Sequence, residues 1–174
     1  MKLGDFAGLM VRRRAGLGLV EFCADPLIAP LGWPDDVVEQ WLFDHGDNGS
    51  FLRDYGHIDL SGIVWSLEVV PAAELSRMPT GASEHDCIDY YAAAPDHWIA
   101  VRHSGIHEGV ARHWAELGTW KRPPILLDRG LVDPTGTGLQ VVEGRTRVGV
   151  LRGRLRQGSP VAAQHQAWVG RPSS

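Results

Sequence analysis

The sequence predicts an α+β fold: a small mixed sheet with packed helices, preceded by an N-terminal extension. Three observations lead there. Short β-rich runs at 58–70, 125–127, 139–142 and 161–169 are separated by segments with helical periodicity. Ile106, Val110, Trp114 and Leu117 recur at spacings of four, four and three, one face of a helix that Gly118 ends. Finally, the run VVEGRTR at 141–147 turns through Gly144 directly from a strand into a helix.

The elements follow in order. Residues 1–14 read as a loose arm whose Arg12–Arg14 run is solvated, and residues 16–22 read as a strand. The prolines of DPLIAPLGWP mark turns. Pro34 suits the first turn of a helix with Asp35 and Asp36 at its positive end. Val37, Val38, Trp41 and Leu42 share one side of that helix, and Gly46 ends it. The loop DHGDNGS lacks the full calcium-loop pattern and reads as a plain turn, followed by a short helix at 51–55. IVWSLEVV alternates as a strand, and PAAELSRMP is a short helical turn.

Ser83, with Asp86 three residues on, reads as the cap of a helix that carries Cys87, Ile88, Tyr90 and Tyr91 and stops near Pro95. Residues 98–101 fit either strand or helix, and Ser104 reads as the cap of the Gly118-ended helix. The loop DPTGTG precedes a strand rather than a helix, so a hairpin-like connection is expected instead of a phosphate loop. Residues 1–57 form an N-terminal extension packed on the core, and 58–174 the main domain.

Composition narrows the function classes. The 174 residues carry a net charge of −4, which argues against a protein that coats nucleic acid by charge alone. No apolar run is long enough to span a membrane, no signal peptide is recognisable, and Cys23 and Cys87 lack CxxC spacing. A cytoplasmic protein with reduced thiols is the expectation. His103 and His107 are four apart, but HEGVARH places its second histidine six from the first, so no metal site is expected.

Basic charge is concentrated in one place: Arg145, Arg147, Arg152, Arg154 and Arg156 follow the Gly144 turn with no acid among them. A strand turning through glycine into a helix N-terminus aims backbone N–H groups at one point. Thr146 offers a hydroxyl, Arg145 or Arg147 a two-pronged grip on an oxyanion, and Glu143 a magnesium ligand or proton acceptor. Successive helical residues cannot all face one anion. The same residues also fit a tight turn into a helix with solvated arginines and a buried stripe of Val148, Leu151 and Leu155.

The order of these motifs over residues 63–170 resembles the ParB/sulfiredoxin-like superfamily: strand, proline and short helix, a helix ending in ELG, a PPI strand, then V-x-G-x-x-R, a helix and a last strand. VVEGRTR is similar to the GERR, GCHR and DGHHR motifs of that superfamily, with Gly144 and Arg147 matching the shared positions. The resemblance implies binding of a nucleotide, ATP or CTP with magnesium, or of a phosphorylated small molecule, through Gly144, Arg145, Thr146 and Arg147. Arg129 is similar in place to a basic ligand-binding residue of sulfiredoxins, and Glu143 would assist phosphoryl transfer or nucleotide hydrolysis. Arg145 stands where sulfiredoxins carry their reactive Cys and ParB the Glu of GERR, so neither of those two activities is carried over. Two alternatives stand beside this expectation. One is a non-catalytic interaction module docking through Trp33, Trp41 and Tyr55; the other is a DNA-binding or nuclease-like protein using the arginine helix, which the solvated-face reading outweighs.

Overall fold

A computed structural model describes residues 1–101 and 105–173. Helices α1 (Ala7–Arg14), α2 (Leu19–Cys23), α3 (Asp35–Val37, continuing as a π-helix over Val38–Phe43) and α4 (Gly49–Tyr55) precede the first strand, β1 (Ile63–Pro71). Then come α5 (Ala72–Leu75), α6 (Cys87–Ala92), α7 (Pro95–Ala100), α8 (Val110–Leu117), β2 (Ile125–Asp128), β3 (Leu139–Glu143), α9 (Arg145–Arg156) and β4 (Gln164–Pro172). The fold is mixed α and β, as the sequence pattern predicts. The four-stranded sheet runs β1-β4-β2-β3; β4 is antiparallel to β1 and parallel to β2, and β2 and β3 are antiparallel.

Strand β2 shows why the sheet has a layer on each side. Its run Ile125, Leu126 and Leu127 is fully buried, which demands cover on both faces. Ile125 and Leu127, with Val142 of β3, face a core built from residues 3–60, including Phe6, Phe22, Trp41 and Tyr55. Leu126 and Val141 face the other way, onto Ile88, Trp114, Val148 and Leu151.

Three local expectations are corrected. Residues 1–14 are no loose arm: Leu3, Phe6, Leu9 and Met10 are buried in the first core. The arginine run is solvated as expected, Arg12 and Arg14 being more than half exposed, and it also has partners: Arg12 binds Asp25 at 2.7 Å, Arg14 pairs with Asp47, and Arg13 lies over the Phe43 ring. Residues 19–23 are helical rather than extended, because Leu19, Phe22 and Cys23 fall at helical spacing while Val20 points to solvent. Ser83 does not cap α6; its hydroxyl and N–H donate to Asp54, at 2.7 and 3.1 Å, which ties residues 82–84 to α4.

Residues 98–100 are helical, within α7. The expected cap Ser104 and His103, one member of the His103–His107 pair, lie outside the described residues. The helix proper begins after Gly109, and Leu117 is exposed rather than part of the buried face. Leu155 of α9 is likewise partly exposed, at 37%. No helix among the described residues is long and apolar enough to cross a membrane.

Candidate functional site

Strand β3 ends at Glu143, and the chain turns in one residue, Gly144, with φ 91° and ψ 20°, before α9 begins. Glycine is required there twice over. The φ is left-handed, and a Cβ would sit 2.5 Å from Pro124 Cβ and 2.9 Å from Arg147 Nε. Val148 N–H donates to Gly144 O at 3.0 Å, closing the first turn, and Gly144 has no side chain to cap it.

This turn forms one wall of a cleft of about 770 Å³ counting its open mouth. Glu143, Gly144, Thr146 and Arg147 line it from the turn. Gln40 and Asp44 reach it from the N-terminal layer, Lys121 and Arg122 from the segment before β2. Trp98, Trp114 and Trp120, with Ile99 and Val110, make the apolar wall. The cleft therefore joins a charged rim to an aromatic floor, the pattern of a small-molecule site.

Arg147 is the hub of the rim. Its Nη2 donates to Glu143 Oε2 at 2.6 Å and to Gln40 Oε1 at 2.7 Å. Its Nη1 donates to the carbonyls of Arg122 and Pro123 at 3.0 and 3.3 Å. Gln40 Nε2 in turn donates to Asp36 Oδ2 and to Pro123 O, both at 3.1 Å. Asp36 also accepts from Trp168 Nε1 at 2.7 Å and from Arg122 Nε at 2.5 Å, and Arg122 also pairs with Glu39. The π-helical stretch of α3 places Gln40 in this network, a widening of the helix often met at functional sites. Arg147 thus ties the turn to the N-terminal layer and has little donor capacity left for a ligand.

Burial pushes the Glu143 carboxyl up, but the charge of Arg147 and the nearby His45 (3.7 Å) outweigh it and hold the group down at about 2. A carboxylate that acidic is ionised at neutral pH and ill-suited to take a proton. Asp44, at the mouth of the same cleft, moves the other way. Partial burial raises its carboxyl, with Glu39 adding and His45, Arg122 and Arg13 opposing.

Two of the sequence-predicted site residues lie elsewhere. Arg145 turns away from the cleft to pair with Glu84 at 2.5 Å, its guanidinium over the Phe51 ring. Arg129 follows the far end of β2: Ile125 pairs with Glu143, whereas Asp128 pairs with Leu139, so Arg129 sits at the opposite end of the hairpin. The connection there is hairpin-like as expected, closed by Arg129 N–H donating to Gly138 O at 2.9 Å. Conversely, sequence reading missed Gln40, Asp44, Lys121 and the indole wall, whose approach to Gly144 depends on contacts between residues far apart in the chain. No local spacing signals that approach.

The remaining arginines of α9 also have carboxylate partners: Arg152 and Arg156 share Asp89 at 3.1 and 2.8 Å, and Arg154 faces Asp96 at 3.7 Å. Arg152 and Arg156 share a single carboxylate, so this face of the helix keeps part of its positive charge. Trp33, Trp41 and Tyr55 are buried in the first core at 7%, 0% and 0% exposure, so they offer no docking surface.

No family model matches the chain, and no curated protein or solved structure matches it. Among the described residues, no group of three His, Cys, Asp or Glu side chains is arranged to hold a metal ion.

Proposed function

We propose that the cleft at Gly144 binds a nucleotide or a similar small molecule that joins a planar ring to a phosphate. The observation that carries this reading is the meeting, in one cleft, of the α9 N-terminal turn with a wall of Trp98, Trp114 and Trp120. The ring would rest on the accessible face of Trp98, and the phosphate would lie by the Gly144 turn and the Lys121 ammonium. Resemblance to ParB/sulfiredoxin-like proteins supports the same site through Gly144 and Arg147. In this reading Arg147 braces the turn instead of gripping the anion. Magnesium would be held at the rim by Asp44 together with the ligand's own phosphate oxygens, since the Glu143 carboxylate already faces Arg147 and His45. Phosphoryl transfer or nucleotide hydrolysis is the reaction class that ligand implies.

Calorimetry with ATP, CTP, GTP and AMP, with and without magnesium, tests it. Binding of at least one is expected, weakened about tenfold by Lys121→Ala, because an exposed charge–phosphate contact of this kind contributes about 1.4 kcal/mol. Absence of heat and of any thermal shift with every nucleotide at about 1 mM overturns it.

A further inference from the structure

The two edges of the sheet are treated differently. At β3 the segment before α6 closes the edge: Thr80 bridges Val141, and Val141 N–H donates to Pro79 O at 2.8 Å. At β1 no strand among the described residues lies outside; there β1 pairs with β4 alone. Ser173 N–H donates to Gly62 O, and Ala72 N–H to Ala163 O, at the two ends of the β1–β4 ladder. With the continuous register between them, these bonds place the even-numbered residues of β1 toward β4. The backbone groups of Ile63, Trp65, Leu67 and Val69 therefore point outward. Pro71, which has no N–H, falls on the same outward set, where it breaks no bond to β4.

This edge is long and apolar. Val64, Leu67 and Val69 are exposed by 58%, 45% and 59%. The strand has no lysine and no bulge, two of the usual devices that blunt an edge, and its one proline, Pro71, is its last residue. Its one charge, Glu68, is neutralised by Arg171 of β4.

We propose that β1 pairs with β1 of a second copy of this chain, antiparallel about a twofold axis at Leu67, to make one continuous sheet across a dimer. Sequence and parity argue for this occupant. Centred on Leu67, the outward residues meet one another: Leu67 opposite Leu67, Trp65 opposite Val69, Ile63 opposite Pro71. On the other face Val64 lies opposite Val70 and Ser66 opposite Glu68, so no like charges are opposed. The same register covers all three exposed aliphatic side chains. Moving the axis to Trp65 or Val69 leaves part of the strand unpaired.

Light scattering on the full chain tests the pairing. A mass twice that of one chain is expected, reduced to one chain by Leu67→Lys with the circular-dichroism spectrum retained. Residues directly opposite in a bonded antiparallel pair have Cα atoms about 5.5 Å apart, within disulfide range. Leu67→Cys is therefore expected to oxidise to a covalent dimer, whereas wild type, with Cys23 and Cys87, and exposed Val20→Cys are not. A wild-type monomer at about 100 µM, above the weak end of specific affinities, overturns the proposal. So does a dimer that survives Leu67→Lys. Should Leu67→Lys fail to fold, the presence or absence of the Leu67→Cys crosslink decides. Ligand binding in the cleft plays no part in these measurements.

Discussion

Glu143 and His165 each keep their proton-poor form to a lower pH than the unfolded chain does, and their pH windows differ. The Glu143 carboxyl sits at about 2 in the fold against an ordinary 4.5, so between those values the unfolded chain binds the extra proton. Its stabilisation is full above pH 4.5 and lost as pH falls toward 2, about 3 kcal/mol in all. His165 is 2% exposed, with Nδ1 2.7 Å from Thr119 Oγ1 and a buried Nε2 that has no partner. A second proton would enter apolar surroundings beside Trp120, and burial lowers the imidazole to about 4 from 6.5. The folded state again binds fewer protons, so stability falls by about 3 kcal/mol as pH drops from 6.5 to 4. Urea unfolding across pH 7 to 2.5 is expected to show both limbs. His165→Phe should flatten the upper one and Glu143→Gln the lower; an unchanged profile in either variant refutes the corresponding assignment.

At the scale of the element, α9 is the informative case. It carries five arginines, yet Val148, Gly149, Val150, Leu151 and Gly153 are buried. The arginines leave the helix at its rims and meet carboxylates there, while two glycines let α6 come close. A Cβ on Gly149 would lie 2.4 Å from Tyr91 Cβ and 2.8 Å from Ile88 O, and one on Gly153 2.4 Å from Ala92 O. Gly153→Ala would gain about 1 kcal/mol of helix propensity and lose about 2–3 kcal/mol to the forced separation of backbones. A net drop in Tm of a few degrees is expected by calorimetry. A rise would show that α6 can move aside freely.

The whole molecule is a sheet sealed between two layers, and residues 1–57 are most of one of them. They cover Ile125, Leu127 and Val142 and carry Gln40 and Asp44 into the cleft. The fragment 58–174 would leave that sheet face in water. It is expected to bind a hydrophobic dye, melt without a cooperative transition and lose any cleft ligand. A sharp melt comparable with the full chain would show that the second core suffices alone.

Much of this was legible in the sequence, for local reasons. The β2 and β3 runs, α9 and the Gly144 turn follow from periodicity and from glycine's conformational range, which act over a few residues. The burial of the first fourteen residues is not legible in the sequence, because their apolar set is short and next to an arginine run whose partners Asp25 and Asp47 come from elsewhere in the chain. Arg145 and Arg147 are neighbours in sequence but about 200° apart around a helix, so one faces the cleft and the other Glu84. Arg129 is near β2 in sequence yet far from Glu143, because the antiparallel pairing carries the two to opposite ends. By itself the sequence determined the elements and the glycine turn that starts the site. Only the tertiary structure decided which charges meet across the layers, what the cleft is lined with and which sheet edge stays open, because those depend on pairings between residues dozens of positions apart.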